Sequence, residues 1–581
     1  MGLSFSRPLL ALLLIAGACA GDVGAGGGSA SPPGKPGNGS GARDPMSGPG
    51  ANPSQTTPPV PETCKTRPAL GRAPLRRLTR FEYNNTVRDL LGDETFPGNA
   101  LPPEEVGNGF GNDAAAQAVS SLLAEQYAQV AEDVARRATQ SSASLQALHP
   151  CAEEVAAGAE EGCAEAIIRG WVPRAFRRPL ESGDTEVLLG LYRATRDLPG
   201  ASFGGAVAAV VEAVLQSPDF LYRIERGVPA ADRPGWLRPS GQEMATRLSY
   251  FLWGTQPDQA LRVAAESGRL DSAAGVLAEA TRMLEDPRAR RTFRFFAGNL
   301  LPLTGLGDLE RDEALFPTFT PAIGGFMQEE TQRLLEHELF EGTGTWAAAL
   351  TAPHTFVNRA LAEFYGLARV GGTGFEKVPV NTALRLGFLT HASLMAGTTH
   401  SNHTNPVVRG SFVLQKLLCM PIPLPDASLA EKIKPPDPYA GKTARARFTQ
   451  HQQDAACRTC HSLMDPVGFA LENFDPVGLY RTHENGVPID ATGALPGVDG
   501  PINGPVELAR ELAALEGSQR CLAQHLVSFA FGKTLGPEDA CLLAEVNAAF
   551  AEAGYDVQRL LLALTQTEPF LYLAGPSGEG N

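Results

Sequence analysis

Cys457-Arg458-Thr459-Cys460-His461 is the stretch from which this 581-residue chain is best read. It is a Cys-x-x-Cys-His sequence, the attachment signal for c-type haem. Each residue type has a reason. Two thiols at this spacing lie under the two vinyl groups of one porphyrin and form thioether bonds. The imidazole next in line then reaches the iron as proximal axial ligand. The other readings of the motif are half a zinc site or a redox dithiol. A four-thiolate zinc site needs a second Cys-x-x-Cys, which the sequence lacks. The motif therefore implies one covalent haem c, held by Cys457 and Cys460 and ligated by His461.

The run that follows, Asp465 to Arg481, repeats Asp-Pro-Val-Gly ten residues apart (Asp465–Gly468 and Asp475–Gly478). Asp caps or turns the backbone, Pro fixes φ and Gly supplies unusual dihedrals. Phe469, Leu471, Phe474 and Tyr480 are suited to cover a porphyrin edge and keep water off it. For Arg481 the readings are a haem propionate partner or a surface salt bridge. Asp465, Glu472 and Asp475 read as caps and turns, with a Ca²⁺ site as the alternative. The sixth iron ligand stays open. His451, six residues before Cys457, is a candidate, and so are His483, Met464, Met420, His400 and His403. An open sixth position would permit peroxide or ligand chemistry, so this point separates an electron carrier from a haem enzyme.

The N-terminus reads as an export signal. Arg7 precedes a short apolar run, Pro8 to Ala18, too short to span a bilayer. Cleavage before Cys19, in the lipobox-like Ala16-Gly17-Ala18-Cys19, would leave Cys19 to be acylated; cleavage after Ala20 is the alternative. Residues 1–19 are thus a signal peptide with a lipobox, and 20–68 a Gly/Pro/Ser tether. Export agrees with haem attachment and permits disulfides. Six cysteines remain, enough for three bridges. The close pairs Cys151 with Cys163 and Cys521 with Cys541 are the candidates, against buried free thiols. The net charge of −15, with no Lys/Arg cluster, argues against nucleic-acid binding.

The rest reads as helical. Thr79-Arg80-Phe81-Glu82 and Ser240-Gly241-Gln242-Glu243 are capping boxes ahead of apolar stripes. Helices are also predicted over 114–143, 321–340 and 557–564. A faint echo links Gln216-Ser217-Pro218-Asp219-Phe220-Leu221-Tyr222 to Gln566-Thr567-Glu568-Pro569-Phe570-Leu571-Tyr572; two similar packing solutions explain it better than duplication. Prolines around 421–440 mark a break ahead of the haem segment. Dinucleotide, P-loop, zinc-helix and nucleophile-elbow signatures are absent or incomplete.

Several strings resemble an exported multidomain family of planctomycetes and myxobacteria, the DUF1587–DUF1595–DUF1592–DUF1588–DUF1585 series. They are Arg77 to Asn85 with Leu90-Leu91-Gly92, then Arg174 to Leu180. Ser217 to Tyr222 with Arg247 to Trp253 follow, then Asn405 to Gly410 with the haem motif and Asp465 to Arg481, and finally about 505–573. Asn405-Pro406-Val407-Val408 departs from the more usual Ser-Pro-Val-Lys, and Gly532-Lys533 from Gly-Arg. The resemblance implies a cytochrome c-related module fused to helical domains, and a His at position 451. The expected fold is mainly α, a multidomain helical body with a C-terminal cytochrome c-like haem module. Its domains are 69–140, 150–225, 226–370, 380–498 and 499–575. The expected function is one-electron transfer at the cell envelope, with a periplasmic or cell-surface lipoprotein anchored through Cys19 and an unidentified redox partner protein. The rivals are a haem enzyme of peroxidase or oxidase type and a structural or binding lipoprotein without haem.

Overall fold

The computed structural model describes residue 64 and residues 74–575, apart from 108, 154, 157, 369, 373, 423–442 and 450–454. Cys19 and the signal segment, the tether apart from Cys64, most of the proline-rich break and His451 lie outside the described residues. Among the described residues the fold is mainly α, with strands confined to four short antiparallel pairs and one small three-stranded antiparallel sheet. No described helix is long and apolar enough to cross a membrane.

Local chemistry explains the helix starts. Thr79 Oγ1 accepts from the Glu82 amide at 3.2 Å, and the Glu82 carboxylate accepts from the Thr79 amide at 2.8 Å. This reciprocal cap starts the helix Arg80–Leu91, which Gly92 closes at φ 67°, a left-handed conformation that suits glycine. Ser240 and Glu243 repeat the device for Gly241–Leu252. The predicted helix over 114–143 is corrected. A short 3-10 turn, Ala114–Ala116, is followed by two separate helices, Ser121–Thr139 and Ser142–Leu148. Ser120 and Ser141 cap their first amides, so the hydroxyls that interrupt the pattern start new helices.

Two apolar cores result. One is built from residues 78–220 with Tyr250; Tyr83, Val87, Trp171, Val211 and Phe220 are its centre. The other takes Phe110 together with residues from Met244 to Phe570, among them Met464 and Val467 of the haem-motif segment. Buried ion pairs fasten the junction between them. Glu82 meets Arg223 at 3.5 Å, and Glu225 meets Arg247 at 2.5 Å. Arg177 donates to the carbonyls of Asp219, Phe220 and Tyr222. Desolvation offsets most of the attraction in such pairs, so they specify the junction more than they stabilise it. The echoed strings adopt the same local design. In each, a helix (Phe203–Gln216 or Val557–Gln566) is followed by a short helix and a strand, with Phe220 or Phe570 buried.

Three disulfides form. Cys151 pairs with Cys163, Cys419 with Cys521 and Cys64 with Cys541. The expected Cys521–Cys541 bridge is therefore corrected. Cys521 points from the helix Glu516–Phe531 toward the end of residues 413–417, where its Sγ lies 3.6 Å from the Lys416 carbonyl, and Cys419 is at hand there. Closeness in sequence did not outweigh the direction of the helix face.

A buried polar network ties the helix Pro321–Phe340 and the strand His354–Val357 to residues 385–393. Glu330 accepts from Thr355 Oγ1 and the Tyr365 hydroxyl, each at 2.6 Å. His391 lies 2.9 Å from Thr331 Oγ1 and 3.2 Å from Thr355 Oγ1. Arg385 stacks on the rings of Tyr365 and Phe474. Burial pushes Glu330 up to about 7 and His391 down to about 3, the latter helped by Arg385 and His354. The two act oppositely on stability. Glu330 favours the fold at low pH and loses that contribution as pH rises through 7; His391 favours it at high pH and loses that contribution as pH falls through 3. Where their windows overlap, between about pH 4.5 and 6.5, the slopes cancel. Glu330→Gln removes one side, so stability should fall by up to about 1.4 kcal/mol per pH unit below neutrality, where the wild-type site contributes almost no slope. Urea midpoints at about pH 5 and pH 6.5 measure this; equal slopes in both proteins would refute it.

Candidate haem-attachment site

The motif lies in one helix, Ala455–Phe469. Cys457, Cys460 and His461 stand at i, i+3 and i+4, so both thiols and the imidazole share a face. Neither cysteine is in a disulfide, and both are partly exposed. His461 Nδ1 lies 2.9 and 3.2 Å from the two carboxylate oxygens of Asp465, one turn further on. The Asp465 side chain is 0 % exposed, so this carboxylate has little water competing for it. With the carboxylate as acceptor, Nδ1 carries the proton and Nε2 keeps its lone pair. That is the tautomer a metal-ligating histidine needs, and the carboxylate partner orients the ring and raises its basicity. The sequence reading gave Asp465 a capping or turning role; the structure gives it this one. Its signal was present as a His–Asp pair at i, i+4.

Two glycines let this helix lie against Pro406–Phe412 backbone to backbone. A Cβ on Gly410 would stand 1.9 Å from the Met464 carbonyl oxygen, and one on Gly468 would stand 1.8 Å from that of Pro406. The reciprocal contacts run the two helices antiparallel. Arg409, fully buried, donates to the carbonyls of Leu471, Phe474 and Asp475 and lies 3.2 Å from the Glu472 carboxylate. Glu472 also accepts from Thr404 at 2.6 Å. Burial holds the Glu472 carboxyl above its usual range, against the pull of Arg409 and Arg481. The chain beyond the motif is thus clamped onto the helix that precedes it.

Arg481 reaches Glu472 at 3.4 Å and Glu484 at 3.8 Å, so its guanidinium is held by the protein's own carboxylates. Asp475 accepts from the amides of Val477 and Leu479, a turn-forming role. Asp465, Glu472 and Asp475 therefore each have separate work, which does not assemble a Ca²⁺ cage. Phe469, Leu471 and Phe474 are packed in the interior, and Tyr480 stands edge-on to Phe474. Among the other candidate ligands, Met464 is buried in the core and His483 is exposed in a short strand. His400 and His403 stack at 4.6 Å, with His403 bonded to Asn402 and His400 to Asn405.

Five family models match the chain in series, each described as a protein of unknown function. They are DUF1587 over 76–140, DUF1595 over 163–225, DUF1592 over 240–367, DUF1588 over 385–484 and DUF1585 over 500–570. The chain belongs to this multidomain family. The DUF1588 model bears the name PSCyt3, a cytochrome label, and its span holds the motif helix, both close-packing glycines, Arg409, Glu472 and Arg481. The Glu330–His391 network joins the DUF1592 segment to it. No curated protein and no solved structure matches the chain. Several residues of the strings that resemble the family have structural work here: Glu82 pairs with Arg223, Arg247 with Glu225, and Arg177 holds backbone carbonyls.

Proposed function

We propose that this chain is an exported one-electron carrier with a single haem c bound through Cys457 and Cys460 and ligated by His461. One observation carries the reading. Six cysteines are spent in three disulfides, while the two of the motif stay outside them, beside an imidazole whose far nitrogen is held by a buried carboxylate. The disulfides suit an oxidising compartment, where thioether attachment also takes place. The donor set fits a haem: two thiols on one helical face and an imidazole whose ring a carboxylate orients. A bound haem supplies reversible one-electron chemistry. The chain's own part is to hold it, to fix the imidazole through Asp465, and to keep the helix rigid through Gly410, Gly468 and Arg409. An acylated Cys19 would keep the protein at a membrane surface, within reach of a redox partner.

The test is a redox titration of protein matured in a host with haem-attachment machinery. A reversible one-electron wave and negligible peroxide turnover are expected. Steady turnover with peroxide or O₂ would make this a haem enzyme instead.

Asp465 offers a finer check. A carboxylate partner makes the imidazole more basic and favours the oxidised iron. Asp465→Asn should therefore raise the midpoint potential by about 30–60 mV, the upper figure being a tenfold shift in the one-electron equilibrium. A potential that stays put or falls would mean that Asp465 does not act through His461.

A further inference from the structure

The last turn of the helix Pro321–Phe340 and the first residue of the strand His354–Val357 bring three metal-ligating side chains together, remote in sequence from the haem motif. His337, Glu338 and His354 each offer one ligand atom, and these atoms lie within 4.8 Å of one another. His354 Nε2 stands 3.0 Å from Glu338 Oε1, yet it makes no hydrogen bond to any described residue. Burial, with the charges of Lys377 and His337, holds His354 down at about 4, so its ring is neutral at ordinary pH. A ring nitrogen and a carboxylate oxygen thus face each other without a hydrogen bond between them, an arrangement that a shared cation completes. Atoms bonded to one Zn²⁺ at about 2.0–2.2 Å stand about 3.0–3.5 Å apart, and this pair already does. His337 is prepared differently. Its Nδ1 lies 3.0 Å from Glu341 Oε2, and the other oxygen of Glu341 is held by Arg290. Its Nε2 lies 2.8 Å from Lys377 Nζ. An ammonium only donates, so this nitrogen presents its lone pair. Lys377 is an exposed side chain on the paired strand Glu376–Pro379, and its charge acts on Glu338 and His354 as well. A cation already stands where the His337 lone pair points.

A metal ion needs no cavity, because it sits between its ligands. The group to be displaced here is one exposed lysine head. Two imidazoles and one carboxylate, with an outer carboxylate steadying one of the rings, make the donor set of an open three-ligand zinc site. Imidazole donors favour zinc-like ions over Ca²⁺ and Mg²⁺, which take oxygen. We propose that His337 Nε2, His354 Nε2 and the Glu338 carboxylate bind a divalent transition-metal ion of the zinc type. Glu341 orients His337, and water takes the fourth position where the Lys377 ammonium now lies. The second histidine comes from a strand rather than from the helix, so no His-Glu-x-x-His string announces the site. This site is independent of the haem reading.

The experiment is calorimetric titration of the chelator-treated full chain, carrying no histidine tag, with Zn²⁺ at neutral pH. Saturable binding of one ion per chain is expected, undisturbed by Ca²⁺ or Mg²⁺. His337→Gln and His354→Gln should each weaken it by about 100-fold or more, the upper end of what losing an outer partner costs, and Glu341→Gln by about tenfold or more. Lys377→Gln should tighten it by about tenfold, because a competing positive charge is gone; a lysine with a purely structural role would give no gain. That variant alters only an exposed side chain, so it keeps the test decisive should a histidine variant misfold. The Cys457→Ala, Cys460→Ala variant should bind Zn²⁺ as wild type does, and Co²⁺ in place of Zn²⁺ should show visible bands without thiolate charge-transfer absorption. The proposal fails if Zn²⁺ does not bind saturably, if the histidine variants bind as wild type does, if Lys377→Gln gives no gain, if Ca²⁺ or Mg²⁺ displaces the ion, or if the binding is lost with the motif cysteines.

Discussion

Replacing Cys457 and Cys460 together by alanine should abolish covalently bound haem while leaving the body folded. Denaturing gels stained for haem peroxidase activity and the mass of the intact chain both read this. Wild type matured in a competent host should carry one added haem mass, and the double variant none. The reason lies in the bond type. Thioethers survive denaturation, whereas a haem held by His461 alone is released with the fold. Both thiols are partly exposed and outside the disulfides, so their loss should cost no more than about 1 kcal/mol of stability. Either single variant keeps one thioether and should retain haem in part. If mature wild type shows two unmodified thiols at this helix, the carrier reading falls and the non-haem scaffold remains.

Gly410→Ala and Gly468→Ala should each destabilise the fold by about 3 kcal/mol or more, a large effect for one methyl group. Each new Cβ would fall within 2 Å of a backbone carbonyl oxygen, on Met464 or Pro406. A side chain rotates away from such a clash; a backbone oxygen inside a helix does not. The helices must part, and buried core side chains of the motif helix such as Met464 and Val467 lose contact. Gly162→Ala is the control. Its Cβ meets nothing within 4 Å in the helix Glu160–Phe176, so alanine should stabilise by about 0.5–1 kcal/mol through helix propensity. Urea unfolding of the three variants gives the comparison. If all three shift the midpoint alike, close backbone packing does not hold the motif helix.

The capping boxes at Thr79 and Ser240 and the motif spacing at Cys457 could be read directly, because each depends on residues within one or two turns of each other. The helix predicted over 114–143 failed for a local reason too: Ser120 and Ser141 are caps that start new helices within the run. The disulfides failed for a non-local one. Cys521 is twenty residues from Cys541, yet its helix face looks toward Cys419. The role of Asp465 fell between these cases. Its spacing from His461 was visible, but a carboxylate acts on a ring strongly only when water is excluded, and that exclusion comes from the surrounding core.

Local pattern thus settled that the chain is helical, where several helices begin, and which two thiols and imidazole share a face. It did so because caps and helical spacing are short-range. Three-dimensional packing alone decided the rest: the glycine contacts under the motif helix, the clamp of Arg409 on Glu472, and the Cys419–Cys521 bridge. Those depend on burial, and burial is set by segments tens to hundreds of residues away.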